Sequence, residues 1–326
     1  MTIEKVEKLD LIDYKILCEL DKNSRISYSE LGKKIRVAKE TVKYRINLLE
    51  KTGVIKGYYT LIDFSKLGYT VYRPYVRLQN ASPKIEAEIT NYLKNKKNVG
   101  VFYRINGEYH LALGVFAKSI WEYQEFWTEF KIKFGEYFSS YHLSVFTEYV
   151  EFSRSYLIGS KNTEKLTFNA ITESKQEKLD GLDYKLLTFL SNNARASLVE
   201  TSKAINMSIV TVRYHMKQLL KKNIITGFRT IFDINKLGKQ YYKVDLFFKE
   251  FKNAENVRQH IISHSNVVYT EKSLVSSDLE FDVEIENFEK FTQLIESFKA
   301  KFPNDIKDYK YYSLIKNYKT SYVPNL

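Results

Sequence analysis

The stretch that decides the fold is Lys39-Glu40-Thr41-Val42-Lys43-Tyr44-Arg45-Ile46-Asn47-Leu48-Leu49-Glu50-Lys51, followed by Thr52-Gly53-Val54-Ile55-Lys56-Gly57-Tyr58. Val42, Ile46 and Leu49 recur at i, i+4 and i+7, the spacing of one buried helix face. Upstream, Ser27 stands three residues before Glu30, a capping-box pattern opening a short helix with Leu31 and Ile35 inward. Further back, Leu9, Ile12, Ile16, Leu17 and Leu20 keep helical spacing behind Asp10, a candidate N-cap. Three helices, the last two joined by a tight turn, read as a helix-turn-helix. Gly53 to Ile62 switches to β-type residues and is expected to form a hairpin or wing.

The same pattern returns 170 residues later. Leu9–Tyr72 lies on Leu179–Tyr242 without a gap, with 26 of the 64 positions identical, including Lys66-Leu67-Gly68 and Lys236-Leu237-Gly238. The second set of helices is expected at Leu179–Asn192, Ser197–Asn206 and Ile209–Lys222, with a wing at Ile224–Phe232. A period this long indicates duplicated domains rather than a solenoid. Between them a second module reads as β-α-β-β-α-β. Its elements are a strand at Tyr72–Leu78, a helix at Pro83–Lys97, strands at Val99–Ile105 and Tyr109–Phe116 around the Asn106-Gly107 turn, a helix from Ser119, and a strand at Tyr137–Tyr149. That order is a ferredoxin-like split motif. The fold class is therefore α+β, two winged helix-turn-helix domains each followed by a ferredoxin-like domain. The expected boundaries are 1–68 and 69–158 for the first half, a polar linker at 159–178, then 179–238 and 239–326. Beyond Tyr72 the offset drifts, and Glu108-Tyr109-His110 is matched to Glu280-Phe281-Asp282. The two second modules are expected to pack sheet to sheet within the chain.

Composition agrees with a globular chain that meets an anion. The 326 residues carry 51 Lys+Arg against 39 Asp+Glu, a net charge of +12. The segments containing the helix-turn-helices hold most of it: Met1–Tyr72 carries +4 and Lys161–Tyr242 +7, against +2 and −1 for the other two. One cysteine, Cys18, excludes an internal disulfide framework and fits a reducing cytoplasm. The longest apolar run, Leu111–Ala117, is far too short to span a membrane. With Val42, Ile46 and Leu49 inward, the third helix turns Lys39, Glu40, Lys43, Tyr44 and Asn47 outward. The second copy presents Ile209, Val210, Arg213, Tyr214 and Lys217. Cations and tyrosines at such places suit phosphates and base edges of duplex DNA. Arg45, Lys56, His215 and Arg229 complete the candidate DNA-binding set. Ile209 and Val210 either meet thymine methyls or mark a second copy that has lost base reading. His260 and His264 stand at i, i+4 without a companion carboxylate or cysteine pattern, so no metal and no cofactor is expected. The aromatics of Phe134–Tyr141 and Tyr309–Tyr312 are candidates for a ligand cleft.

These residues resemble the Lrp/AsnC (feast/famine) family of transcriptional regulators. The resemblance rests on Leu9-Asp10, Asp13, Arg25, Glu30-Leu31, Val42, Arg45, Leu49, Gly53 to Tyr58 and Lys66-Leu67-Gly68, and it covers each half almost end to end. It implies DNA binding by the winged helix and assembly through a ferredoxin-like RAM domain, with an amino-acid-like effector held at oligomer interfaces and no catalysis. Two halves in one chain then imply an intrachain pseudo-dimer with two unlike readers, with further homo-oligomers open. Asn106-Gly107-Glu108-Tyr109 resembles the Gly-x-Tyr-Asp signature of that domain, with His110 in place of the Asp and Asp282 taken as its counterpart in the second copy. Two alternatives stay beside this reading. One is an enzyme resembling siroheme decarboxylases, which share the domain plan and carry a His and Arg cluster where this chain has Tyr103-Arg104. The other is a protein-binding co-regulator with degenerate helix-turn-helices.

Overall fold

The computed structural model describes residues 9–159, 167–171, 175–274 and 277–321, the side chains of 167–171 excepted. The first half opens with α1 (Leu11–Lys22), α2 (Tyr28–Ile35), α3 (Lys39–Lys51) and β1 (Ile55–Ile62). Asp10 accepts from the amides of Ile12 and Asp13, while Asp13 accepts from the Asp10 amide. This reciprocal cap satisfies donors that the first turn leaves open. Ser27 caps α2, and Arg36 ends it in the left-handed region (φ 60°). That residue swings the chain into α3, whose Val42, Ile46 and Leu49 pack on Ile16, Leu17, Leu20 and Leu31.

Next come β2 (Thr70–Leu78), α4 (Pro83–Asn95), β3 (Val99–Asn106), β4 (Leu111–Ala117), α5 (Ile120–Phe134) and β5 (Phe138–Phe152). They form a four-stranded antiparallel sheet in the order β5-β2-β4-β3, with the α4 and α5 side chains packed on one face. A further strand, β6 (Thr167–Ile171), follows, and then the second half repeats the plan. Its elements are α6 (Gly181–Ser191), α7 (Leu198–Ile205), α8 (Ile209–Lys221), β7 (Ile225–Phe232), β8 (Gln240–Phe248), α9 (Ala254–Ile262), β9 (Val267–Leu274), β10 (Leu279–Ile285), α10 (Phe288–Lys301) and β11 (Ile306–Thr320). The second sheet runs β11-β8-β10-β9, with its own helices on the outer face. Among the described residues no helix is long and apolar enough to cross a membrane.

The two sheets do more than face each other. β5 and β11 are 15 residues long, and each serves both halves. β5 pairs with β2 up to Val145 and with β9 from Val145 to Glu151. β11 pairs with β8 up to Ser313 and with β3 from Ser313 to Thr320. Eight strands thereby close into a ring, and closure removes the exposed edges that invite aggregation. The inner faces meet through contacts such as the stack of Tyr75 on Tyr312, 5.8 Å between centroids.

Three expectations from the sequence need correction. Neither wing is a hairpin. β1 and β7 pair antiparallel with each other across the two halves, Tyr58 opposite Thr230, Tyr59 opposite Arg229 and Thr60 opposite Phe228. Tyr59 and Arg229 are equivalent in the repeat, so the pseudo-twofold axis passes between them. The segment 159–178 is not all linker, because Thr167–Ile171 adds to β5 at 148–152; residues 160–166 and 172–174 lie outside the described set. In the second modules β2 and β8 keep the shift of 170 while β4 and β10 align with a shift of 168: Thr70 faces Ala117, as Gln240 faces Ile285, and Val76 faces Leu111, as Leu246 faces Leu279. His110 therefore corresponds to Asp278, not to Asp282.

Candidate nucleic-acid interface

Each reading helix is held by its apolar seam and turns the opposite face to solvent. On α3 the side chains of Lys39, Glu40, Lys43, Tyr44 and Asn47 are exposed, Tyr44 at 67%. On α8, Ile209, Val210, Arg213, Tyr214 and Lys217 are exposed at the equivalent places. These ten residues thus lie on one solvent face per helix.

Of the rest of the set, Arg45 and His215 sit half-buried at the flanks of α3 and α8, Lys56 is exposed on β1, and Arg229 is buried on β7. Arg45 bonds the carboxylates of Asp10 at 2.8 Å and Asp13 at 2.9 Å, stapling α3 to the first turn of α1. His215 holds the same post, its Nδ1 2.7 Å from Asp183. Lys56 reaches Asp233 of the other half at 2.8 Å. Arg229 is fully buried and bonds Asp21 Oδ1 at 2.9 Å and the Phe152 carbonyl at 3.1 Å, so it touches no ligand at the surface. The sequence could have signalled the first pair, because Asp10-x-x-Asp13 and Asp180-x-x-Asp183 repeat together with a basic residue at 45 and 215. Nothing local distinguishes Arg229, whose burial comes from the pseudo-axis.

Asp180, Asp183 and His215 also lie close enough to hold a cation. The first copy sets Arg45 against its equivalent pair, so this place accepts a positively charged side chain. His260 turns its ring edge to Phe298 and Phe302, and His264 accepts from the Asn266 amide at 3.3 Å, so both serve packing. Cys18 is buried in the first helical core, which pushes its thiol up to about 11. Phe134, Phe138 and Tyr312 are buried and fill cores rather than a cleft. Lys33, Arg36 and Lys203, which the sequence reading did not single out, are also exposed on or beside α2 and α7.

The two winged helices form one rigid head through reciprocal bonds. Arg25 donates to the Ala194 carbonyl at 2.5 Å, and Arg195 donates to the Ser24 and Ile26 carbonyls. Lys66 donates to the Lys222 carbonyl at 2.6 Å, and Lys236 donates to that of Thr52. The Asp63 amide meets the Ile224 carbonyl, and the Asp233 amide meets that of Val54, both at 2.9 Å. Every pair obeys the repeat, so the geometry of one reader relative to the other is set by symmetric contacts.

The attachment of the head to the ring is not symmetric. Arg154, just after β5, bonds Asp21 of α1 at 2.8 Å and Glu284 of β10 at 2.8 and 2.9 Å. Tyr59 and Arg229 approach Glu151 from opposite strands. At the other end the corresponding ground is aromatic: Phe64, Val71 and Phe116 cluster there, with Phe116 in the place of Glu284. Inside the ring, Arg73 bonds Glu271 at 2.9 Å and Glu280 at 2.6 Å, and Lys243 bonds Glu271, Glu280 and Asp282. Burial pushes the Glu271 carboxyl up, against the pull of Lys243 and Arg73. Near the ring's rim His110 Nδ1 accepts from the Leu78 amide at 3.1 Å, where Asp278 accepts from the Phe248 amide at 2.7 Å. A neutral imidazole thus does the work of a carboxylate, and burial with nearby Arg104 and Arg77 lowers its pKa.

Residues 9–56 and 179–226 match the family model described as winged helix-turn-helix DNA-binding. An uncharacterized HTH-type transcriptional regulator of Pyrococcus horikoshii is 40% identical over 107 residues, 32% of this chain and 68% of that protein. The HTH-type transcriptional regulator LrpC of Bacillus subtilis is 35% identical over 127 residues, 36% of this chain and 81% of its own. Among solved structures, the siroheme decarboxylase NirDL superposes on 95% of this chain and 92% of its own, with a TM-score of 0.63 and 12% identity. At that identity the likeness is one of fold.

Proposed function

The chain belongs to the Lrp/AsnC family of HTH-type transcriptional regulators, as a fused tandem pair, and on that premise we propose that it binds one operator as a single-chain pseudo-dimer. Each half presents one reader, α3 or α8, to a major groove. The observation that carries this reading is the symmetric stapling of the two winged helices, which leaves Lys43-Tyr44 and Arg213-Tyr214 exposed at equivalent places. Lys39, Glu40, Asn47 and Lys217 flank them, and Lys33, Arg36 and Lys203 are placed to meet phosphates. Phosphate contacts release counterions, so binding weakens with salt. Selection from a random duplex pool, followed by footprinting, is expected to give two half-sites about one helical turn apart, roughly 34–36 Å. No retention of any duplex at low salt would sink the reading.

A second reading is an enzyme on the same plan, favoured by the whole-chain superposition on NirDL. Here Tyr103 is half-buried and bonds Thr320, and Arg104 is paired with Glu86 at 3.2 Å, so neither is set to meet an anionic tetrapyrrole. Binding of an iron-porphyrin analogue, followed by absorbance, separates the two readings; a regulator leaves the spectrum unchanged.

A further inference from the structure

The first turns of the two readers differ in kind. Glu40, Lys43, Tyr44 and Asn47 line the solvent face of α3 at i, i+3, i+4 and i+7. Val210, Arg213, Tyr214 and Lys217 do so on α8, with Ile209 beside them. Val210 is 76% exposed and Ile209 39%. The Ser208 hydroxyl accepts from the Thr211 amide, so this turn is fixed in place, and α8 has no acidic residue in it. Both apolar side chains are β-branched and hold essentially one rotamer in a helix, so they are rigid before any partner arrives. They cannot hydrogen-bond. In a major groove the apolar feature that marks one base is the C5-methyl group of thymine. A protein partner is a poor fit for so small a patch, because a stable interface buries about 800 Å² on each side. The patch also sits beside Arg213 and Lys217, in the most basic segment of the chain.

We propose that α8 reads thymine methyl groups through Ile209 and Val210, which makes the operator of this chain asymmetric. The proposal rests on the duplex-binding reading above. Under it, α3 reads by hydrogen bonds from Lys43 and Asn47, and Glu40 is positioned to accept from a cytosine amine. The half-site under α8 is instead recognised by shape and methyl contact, while Arg213, Tyr214 and Lys217 grip it.

The test uses the full chain and a duplex selected from a random pool. Deoxyuridine, which lacks only the methyl group, replaces thymidine in one half-site at a time. Substitution under α8 is expected to weaken binding about fourfold per contacted methyl, while substitution under α3 has no effect. Val210→Ala, at an exposed position that leaves folding intact, should lower the sensitivity to uracil. Val210→Glu should move the preference of that half-site toward cytosine. A duplex bound equally well with uracil in both half-sites, or a selected site with two identical halves, overturns the proposal and leaves duplex binding standing. Absence of salt-dependent duplex binding overturns both.

Discussion

The head and its attachment to the ring follow opposite rules. Between the two winged helices three sets of cross-half bonds have twins: Arg25 with Arg195, Lys66 with Lys236, the Asp63 amide with the Asp233 amide. Between head and ring the twins have diverged. Asp21 corresponds to Ser191, Arg229 to Tyr59 and Glu284 to Phe116, so one junction is ionic and the other aromatic. A symmetric head keeps two readers in register for one duplex. An asymmetric junction is open only to a fused chain, because in a homodimer any change appears at both ends.

The largest effect is expected where that asymmetry is buried. Arg229→Ala takes a buried guanidinium from both Asp21, which keeps Arg154, and Glu151, which keeps Tyr59, and should cost on the order of 3–5 kcal/mol in thermal or denaturant unfolding. A cost no greater than that of a surface substitution would mean the ionic junction is not a structural lock. Next, Lys43→Ala should weaken specific duplex binding by about 1–3 kcal/mol and relax one base position, without changing stability. Arg213→Ala is expected to weaken all duplexes alike and to lower the salt slope by about 1, as a phosphate contact does. Equal behaviour of the two variants in a salt titration would break the contrast drawn between the readers.

A smaller effect separates the two rims. The lowered pKa of His110 means that the fold holds the neutral ring, so its share of stability is present above the unfolded-state value of about 6.5 and declines as the pH falls below it. The hydrogen bond at stake is worth about 1 kcal/mol. His110→Asp, which copies Asp278, should flatten the unfolding profile below about pH 6.5. Glu271 has the opposite sign. Its raised pKa means stability is fullest at low pH and is lost as the pH rises through the folded-state value. Glu271→Gln should make the alkaline limb of the same profile shallower, and a profile unchanged by both variants would remove the ring from the pH response.

Much of the plan was legible in the chain because it repeats. The 170-residue offset, the capped helices and the Val42, Ile46, Leu49 seam identify two helix-turn-helices without any coordinates. The exposed faces of α3 and α8 follow from helical periodicity alone, and all the residues assigned to those faces are exposed. Misplaced residues fall where contacts are long-range. Arg45 and His215 looked like surface cations until α1 and α6 brought carboxylates beneath them. Arg229 looked like a wing arginine because a strand followed by glycine-spaced β residues is locally the same whether it folds on itself or pairs with a distant twin. At His110 a short motif matches the wrong stretch by chance, Glu108-Tyr109-His110 resembling Glu280-Phe281-Asp282, while strand register leaves no such freedom.

Sequence by itself determined the duplication, the helical readers, the split β-α-β-β-α-β modules and the concentration of charge in the reading segments. Those features depend on spacing and composition within a few turns of chain. Only the tertiary structure decided that β1 pairs with β7, that β5 and β11 close two sheets into one ring, and that Arg154 and Arg229 lock one end of the head while aromatic rings fill the other. Each of these joins residues far apart in the chain, and what selects them is the burial of charge and the satisfaction of strand edges across the pseudo-axis, which no local pattern encodes.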